Sequence, residues 1–226
     1  MYGRPLVLKR SFIKALILSS FFVIGSSHAG SHDKPRVLII GDSISIGYTP
    51  YVTKSLAAEA EVVHNIGNAQ DSTNGLKNLD AWLEGGKWDV ISFNFGLWDL
   101  CYRRPGPVTQ ENRDKINGSI AVPLDQYAIN LAQIATKLKA TGAKVIFQSV
   151  TVVPAQEPGR NSDDVGRYNR AAADVMKRMG IPINDLEAVS AALSDNLRES
   201  DTDVHYTEAG YEQLARSVTR SIQAQL

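Results

Sequence analysis

Five short strand-like runs, each separated from the next by a stretch of helical spacing, constrain this sequence more than any other feature. They lie at residues 37–40, 61–64, 89–95, 144–149 and 181–184. A run such as Val37 to Ile40, apolar throughout and closed by Gly41, fits a strand buried on both faces. Helical patterns fill the intervals. One starts at Pro50 after a Thr49 cap and runs to about residue 60. Others cover 74–83, 124–140 and 164–179, the last stopped by Gly180. Asp185 caps a further helix, and 207–225 forms the final one. Residues 101–123 and 154–161 hold prolines and glycines without periodicity and read as irregular loops. Strands alternating with helices imply right-handed crossovers and a parallel sheet covered on both sides. The expected fold is therefore α/β: a three-layer α/β/α sandwich around a five-stranded parallel sheet of flavodoxin-like type.

Such sheets place their sites beyond the carboxyl ends of the strands. Three segments fall there: Ser43 after the first strand, Gly67 to Ser72 after the second, and Gly96 to Asp99 after the third. Ser43 is the candidate nucleophile. Gly41 allows a tight turn before it, and the helix that follows aims free N–H groups at the same point. The plainer alternative is a capping turn, and Ser45 reads as a turn residue. A serine needs a base. Of the four histidines, His28 and His32 lie near the N-terminus and His64 ends a strand, where it reads as packed. His205 precedes the last helix, in a loop able to overhang the sheet edge, and is the candidate base.

The Gly41-Asp42-Ser43 box, Gly96-Leu97-Trp98-Asp99 and the stretch from Asp203 through His205 to Tyr211 together resemble the GDSL or SGNH hydrolases. Gly159-Arg160 and Tyr168-Asn169 add to the likeness, which spans residues 37–226. The resemblance implies a serine esterase with Ser43 as nucleophile and His205 as general base. It also implies that Asp42 and Asp99 hold turns. Three positions depart from the pattern. Thr202 stands where the family's acid stands, three residues before the histidine, so Asp203 or Asp201 serves in a shifted triad, or the site is a Ser-His dyad. Trp98 replaces the asparagine that donates to the oxyanion; its indole N–H is a substitute, stacking or packing is the other reading, and Asn94 is a poorer donor. Gln70 occupies the glycine whose backbone N–H donates; the expectation is an ordinary φ there, with Gly67 as the alternative donor.

The first 29 residues hold Arg4, Lys9, Arg10 and Lys14, no acid, an apolar run from Ala15 to Ile24, and Ser27-His28-Ala29. This is the pattern of a cleavable signal peptide, which predicts a single domain over 30–226 in a secreted or periplasmic protein. The apolar run is too short to span a bilayer, so no stable membrane insertion is expected after cleavage. Without those residues the net charge of zero becomes −4, which argues against nucleic acid as a partner. Cys101 is the single cysteine, which excludes an internal disulfide and a CxxC site and reads as a buried small hydrophobe. The sequence has no P-loop, no GxGxxG after the first strand and no HExxH, so neither cofactor nor metal is expected. Asp42, Asp71 and Asp99 sharing one edge leave a divalent cation as the alternative. Trp98, Tyr102, Arg103 and Arg104 on the loop rim favour a small-molecule or polysaccharide ester, with short acyl groups such as O-acetyl on carbohydrate. A lysophospholipase or thioesterase, and a non-catalytic glycan-binding module, are the alternatives.

Overall fold

The computed structural model describes residues 1–3 and 34–226. Beyond its first three residues, the expected leader, with its cleavage point, lies outside the described residues, as does His32.

The unit from Lys34 to Leu226 is built on β1 (Arg36–Ile40), β2 (Glu61–His64), β3 (Val90–Phe93), the short pair β4 (Tyr102–Arg103) and β5 (Ser119–Ile120), β6 (Lys144–Gln148) and β7 (Ile183–Asn184). All sheet neighbours are parallel, in the order β2-β1-β3-β6-β7. That is the flavodoxin-like order, in which strand direction of travel reverses between β1 and β3. β1 and β3 are buried along almost their whole length because helices cover both faces.

The helices are α1 (Ser43–Leu56), α2 (Ser72–Leu83), α3 (Leu124–Ala140), α4 (Ser162–Met179), α5 (Leu186–Ala191) and α6 (Glu208–Gln223). Right-handed crossovers fix their layers. The step from β1 to β2 runs one way and carries α1, against which α6 packs; the later steps run the other way and carry α2, α3 and α4, with α3 in contact with both of the others. Aromatic side chains fill the interior: Phe93 meets Phe147 edge-on at 5.1 Å between centroids, and Tyr127 lies 4.9 Å from Tyr168. Each buried tyrosine of that pair satisfies its hydroxyl on a loop carbonyl, Tyr127 on Phe95 at 2.8 Å and Tyr168 on Val122 at 2.5 Å.

Two local expectations need correction. The first helix starts at Ser43 rather than Pro50, because Asp42 caps it by accepting from the Ile44 N–H at 3.0 Å. Pro50 sits inside the helix on its exposed face, where a missing N–H leaves a carbonyl that water reaches. The loop over 101–123 contains the antiparallel ribbon β4-β5, whose two-residue strands are too short to show a period. No described helix is long and apolar enough to cross a membrane.

Candidate active site

Ser43 opens α1 at the carboxyl edge of β1, so its own N–H is one of the unpartnered donors of a helix N-terminus. His205 comes from the loop before α6, whose cap is Thr207, accepting from the Gly210 N–H at 3.3 Å. The loop is braced by the Glu199 N–H donating to His205 O at 3.1 Å and by a bridge between Arg198 and Tyr206. These elements bring Ser43 Oγ to 2.8 Å from His205 Nε2.

The acid position follows from proton accounting. Asp203 Oδ1 lies 2.5 Å from His205 Nδ1 and also accepts the His205 backbone N–H at 3.0 Å. A carboxylate can only accept, so Nδ1 carries the proton and Nε2 is left to accept from the Ser43 hydroxyl. Burial alone would raise the Asp203 carboxyl; the two hydrogen bonds and the charge of His205, with Arg113 further off, outweigh it and hold Asp203 below its usual range. Asp201 is exposed and makes no hydrogen bond to His205 among the described residues. Asp203, two residues before the imidazole, is thus the carboxylate brought to His205.

The oxyanion side is less regular. Ala69 N–H donates to Gly41 O at 3.0 Å, which docks the segment after β2 beside the Ser43 turn. Gln70 has φ 58°, in the left-handed region, contrary to the expectation of an ordinary φ. The turn keeps the backbone a glycine would take, and the Gln70 N–H is pinned there by Asn68 Oδ1 at 2.8 Å. Gly67 also turns left-handed, at φ 72°, and its surroundings are exposed. Trp98 lines the Ser43 crevice, with no partner for its indole N–H among the described residues and the Arg103 guanidinium 4.9 Å above its ring. Asn94 is spent elsewhere: its amide is buried and donates to Gln148 O at 2.8 Å.

The three edge aspartates are committed to the fold. Asp42 caps α1, Asp71 caps α2 through the Thr73 and Asn74 N–H groups, and Asp99 accepts from both the N–H and hydroxyl of Ser72. Burial pushes the Asp42 carboxyl up, and raises that of Asp99 to about 7. No group of three His, Cys, Asp or Glu among the described residues is placed to hold a metal ion. Cys101 is buried and free, its thiol pushed up by that burial. His64 bonds Ser45 and the Asn65 carbonyl rather than Ser43.

The crevice also holds residues that sequence reasoning passed over. Arg113, from the loop after β4, and Arg160, before α4, line it together with Gln110. Arg160 was legible only as part of the Gly159-Arg160 resemblance, without a role. Arg104 and Tyr102, expected on the rim, are turned to other work: Arg104 pairs with Asp114 at 2.6 Å and Tyr102 donates to Asp164 at 3.1 Å.

A model of the GDSL-like lipase/acylhydrolase family matches residues 39–213. The chain belongs to that family. Family members are ester hydrolases, and this chain is an enzyme of that class. Solved structures share the fold. A lipase/acylhydrolase from Enterococcus faecalis has 20% identity and a TM-score of 0.69, over 85% of this chain and 97% of that one. TesA has 22% identity and a TM-score of 0.64, over 84% and 99%. A catalytic mutant of Axe2, an acetylxylan esterase from Geobacillus stearothermophilus, has 20% identity and a TM-score of 0.66, over 84% and 94%. None of the curated proteins matches the sequence.

Proposed function

We propose that this GDSL-family chain is a serine esterase that removes short acyl groups, O-acetyl among them, from carbohydrate through an acyl-enzyme. The observation that carries the reading is the unbroken line of hydrogen bonds from Ser43 Oγ through His205 to Asp203. In this mechanism His205 Nε2 takes the Ser43 proton as Oγ attacks the ester carbonyl, and Asp203 stabilises the imidazolium that forms. The Ser43 N–H and the Trp98 indole N–H receive the oxyanion, while the Gln70 N–H is engaged by Asn68 Oδ1. His205 then protonates the departing alcohol, and water, deprotonated by the same imidazole, releases the acid.

The small crevice, framed by Trp98 and arginines, supports a short acyl group over a long one. The acetylxylan esterase among the similar structures is consistent with carbohydrate as the alcohol. The proposal includes export: residues 1–29 are a signal removed to leave a single domain starting near Gly30, which mass measurement of the protein recovered from outside the cytoplasm reads directly.

Turnover of p-nitrophenyl acetate, with Ser43→Ala as control, tests the chemistry, and a panel of acetylated polysaccharides tests the alcohol. Turnover lost in Ser43→Ala is the expected result. A native chain that binds acetylated glycans without releasing acetate would instead be a glycan-binding module.

A further inference from the structure

Two guanidinium groups, those of Arg113 and Arg160, line the Ser43 crevice with one buried carboxylate between them, and a third, that of Arg103, lies over the ring of Trp98. Arg113 and Arg160 both donate to Glu157 Oε1, the second at 2.8 Å, while Glu157 Oε2 accepts the Gly159 N–H at 2.7 Å. The Glu157 side chain is 0% exposed, that of Arg160 4% and that of Arg113 16%. Arg160 also holds the Trp98 turn by donating from Nε to Leu97 O at 2.6 Å. Arg103 is the third cation. It lies over Trp98, gives one N–H to Thr109 O at 2.6 Å, and has no carboxylate within ion-pair distance among the described residues.

The neighbouring acids do not balance this charge. Glu157 is shared by two arginines, Asp203 is engaged by His205, and Asp42 is buried in the cap of α1. Burial, together with the Arg160 and Arg113 charges, pushes the Arg103 guanidinium down, while Cys101 and Glu157 act the other way. Arginine keeps its proton regardless, so a half-buried guanidinium in this setting favours an incoming anion. Its planar fork matches a carboxylate bidentately, and the low-dielectric wall of Trp98 strengthens that attraction.

We infer that the substrate is an acyl ester on an acidic carbohydrate, whose carboxylate is received by Arg103 and Arg113 beside Ser43. This rests on the esterase reading above and narrows its alcohol to one bearing a carboxylate near the scissile ester. Arg103 and Arg113 are then specificity residues, and Arg160 is a positioning residue acting through Glu157 and Leu97.

The test uses binding as well as turnover, so that the two readings fail separately. An O-acetylated oligouronate is titrated calorimetrically into the Ser43→Ala chain, once with free carboxylates and once with the same groups methyl-esterified. The free acid should bind roughly tenfold tighter or more, the worth of one charge-assisted hydrogen bond. The preference should shrink as salt rises, and Arg103→Gln in the same background should bring the two affinities together. Equal affinities for the two forms, or an undiminished preference in Arg103→Gln, overturn the inference. Equal binding of the unacetylated oligouronate also overturns it, since the site would then be a general polyanion patch. Failure of the native chain to turn over p-nitrophenyl acetate would overturn the esterase reading and leave the charge preference standing.

Discussion

Asn68 Oδ1 accepts the backbone N–H of Gln70 at 2.8 Å, and by doing so holds Gln70 in the left-handed region at φ 58°. Gln70 is the one non-glycine with positive φ among the described residues, and its segment is docked beside the Ser43 turn. Backbone strain at such a place is kept when the surroundings over-determine it. An L-residue in this region costs about 1–2 kcal/mol, while a glycine gives back about 0.5–1 kcal/mol of that in the unfolded chain.

Gln70→Gly is therefore expected to stabilise the fold by roughly 0.5–1 kcal/mol, a rise of about 1–4 °C in Tm at this domain size. Gln70→Val, β-branched and poorly suited to positive φ, should lower Tm. Thermal melts of the two variants check the relation. A drop for Gly of the same size as for Val would mean that the Gln side chain, rather than the backbone, sets stability at this turn.

The acid is the second expectation. Asp203 sets the His205 tautomer, and an amide in its place can donate to Nδ1 and move the ring proton to Nε2, where it blocks the Ser43 hydroxyl. Asp203→Asn should lower kcat by about 10³-fold, less than the ~10⁴-fold of a fully buried triad because the carboxylate is partly exposed. Asp201→Asn should leave kcat within about twofold, as is usual for exposed residues without such partners. Steady-state kinetics on p-nitrophenyl acetate decide it: a small effect at Asp203 would favour the dyad.

What could be read in the sequence follows from how local each signal is. The strand at residues 61–64 and the helix at 124–140 have the bounds the pattern gave them, because one element's own residues carry the information. The start of α1 was misread because Pro50 is a strong local signal and Asp42 a weaker one, yet the cap wins. The nucleophile and base candidates were legible because the fold rule selects one sheet edge and few histidines remain. Three things were not. Asp203 and Asp201 are equivalent in sequence and separate only in the loop's geometry. The left-handed Gln70 contradicts the residue's usual preference and exists because Asn68 enforces it. The pairing of Arg113 with Glu157 joins two loops 44 positions apart, neither of which has a period to read.

Trp98 gives the third expectation. Its indole N–H has no partner among the described residues, and the ring, which lines the crevice, carries Arg103 on its face. Trp98→Phe keeps an aromatic ring under Arg103 and removes only the donor. If the N–H serves the oxyanion, kcat should fall by about 10–100-fold with KM nearly unchanged, the sign of an interaction made in the transition state. Trp98→Asn, which restores the family residue, should recover part of kcat. A silent Phe variant together with a raised KM for Asn would assign Trp98 to stacking instead.

His64 provides a stability test with a definite sign. Its Nδ1 stands 2.8 Å from the Asn65 carbonyl and so carries a proton, while Nε2 lies 2.7 Å from Ser45 Oγ. The Ser45 hydroxyl is also 2.7 Å from Asp42 O and holds one proton for two acceptors. An imidazolium would satisfy every bond in this chain, but burial opposes the charge and outweighs the Asn65 contact, so the His64 pKa lies below its usual 6.5. Below pH 6.5 the unfolded chain then binds a proton that the folded chain refuses. Stability contributed at neutral pH is lost as pH falls through the unfolded value, and it levels off once the folded group titrates in turn. Tm measured from pH 8 down to pH 5 should decline more steeply for the native chain than for His64→Gln, which has nothing to titrate there. The same variant should retain most esterase activity, whereas His205→Ala should abolish it. If the native chain instead gains stability relative to His64→Gln on acidification, the hydrogen bonds outweigh burial and His64 is held as the imidazolium beside the Ser43 turn.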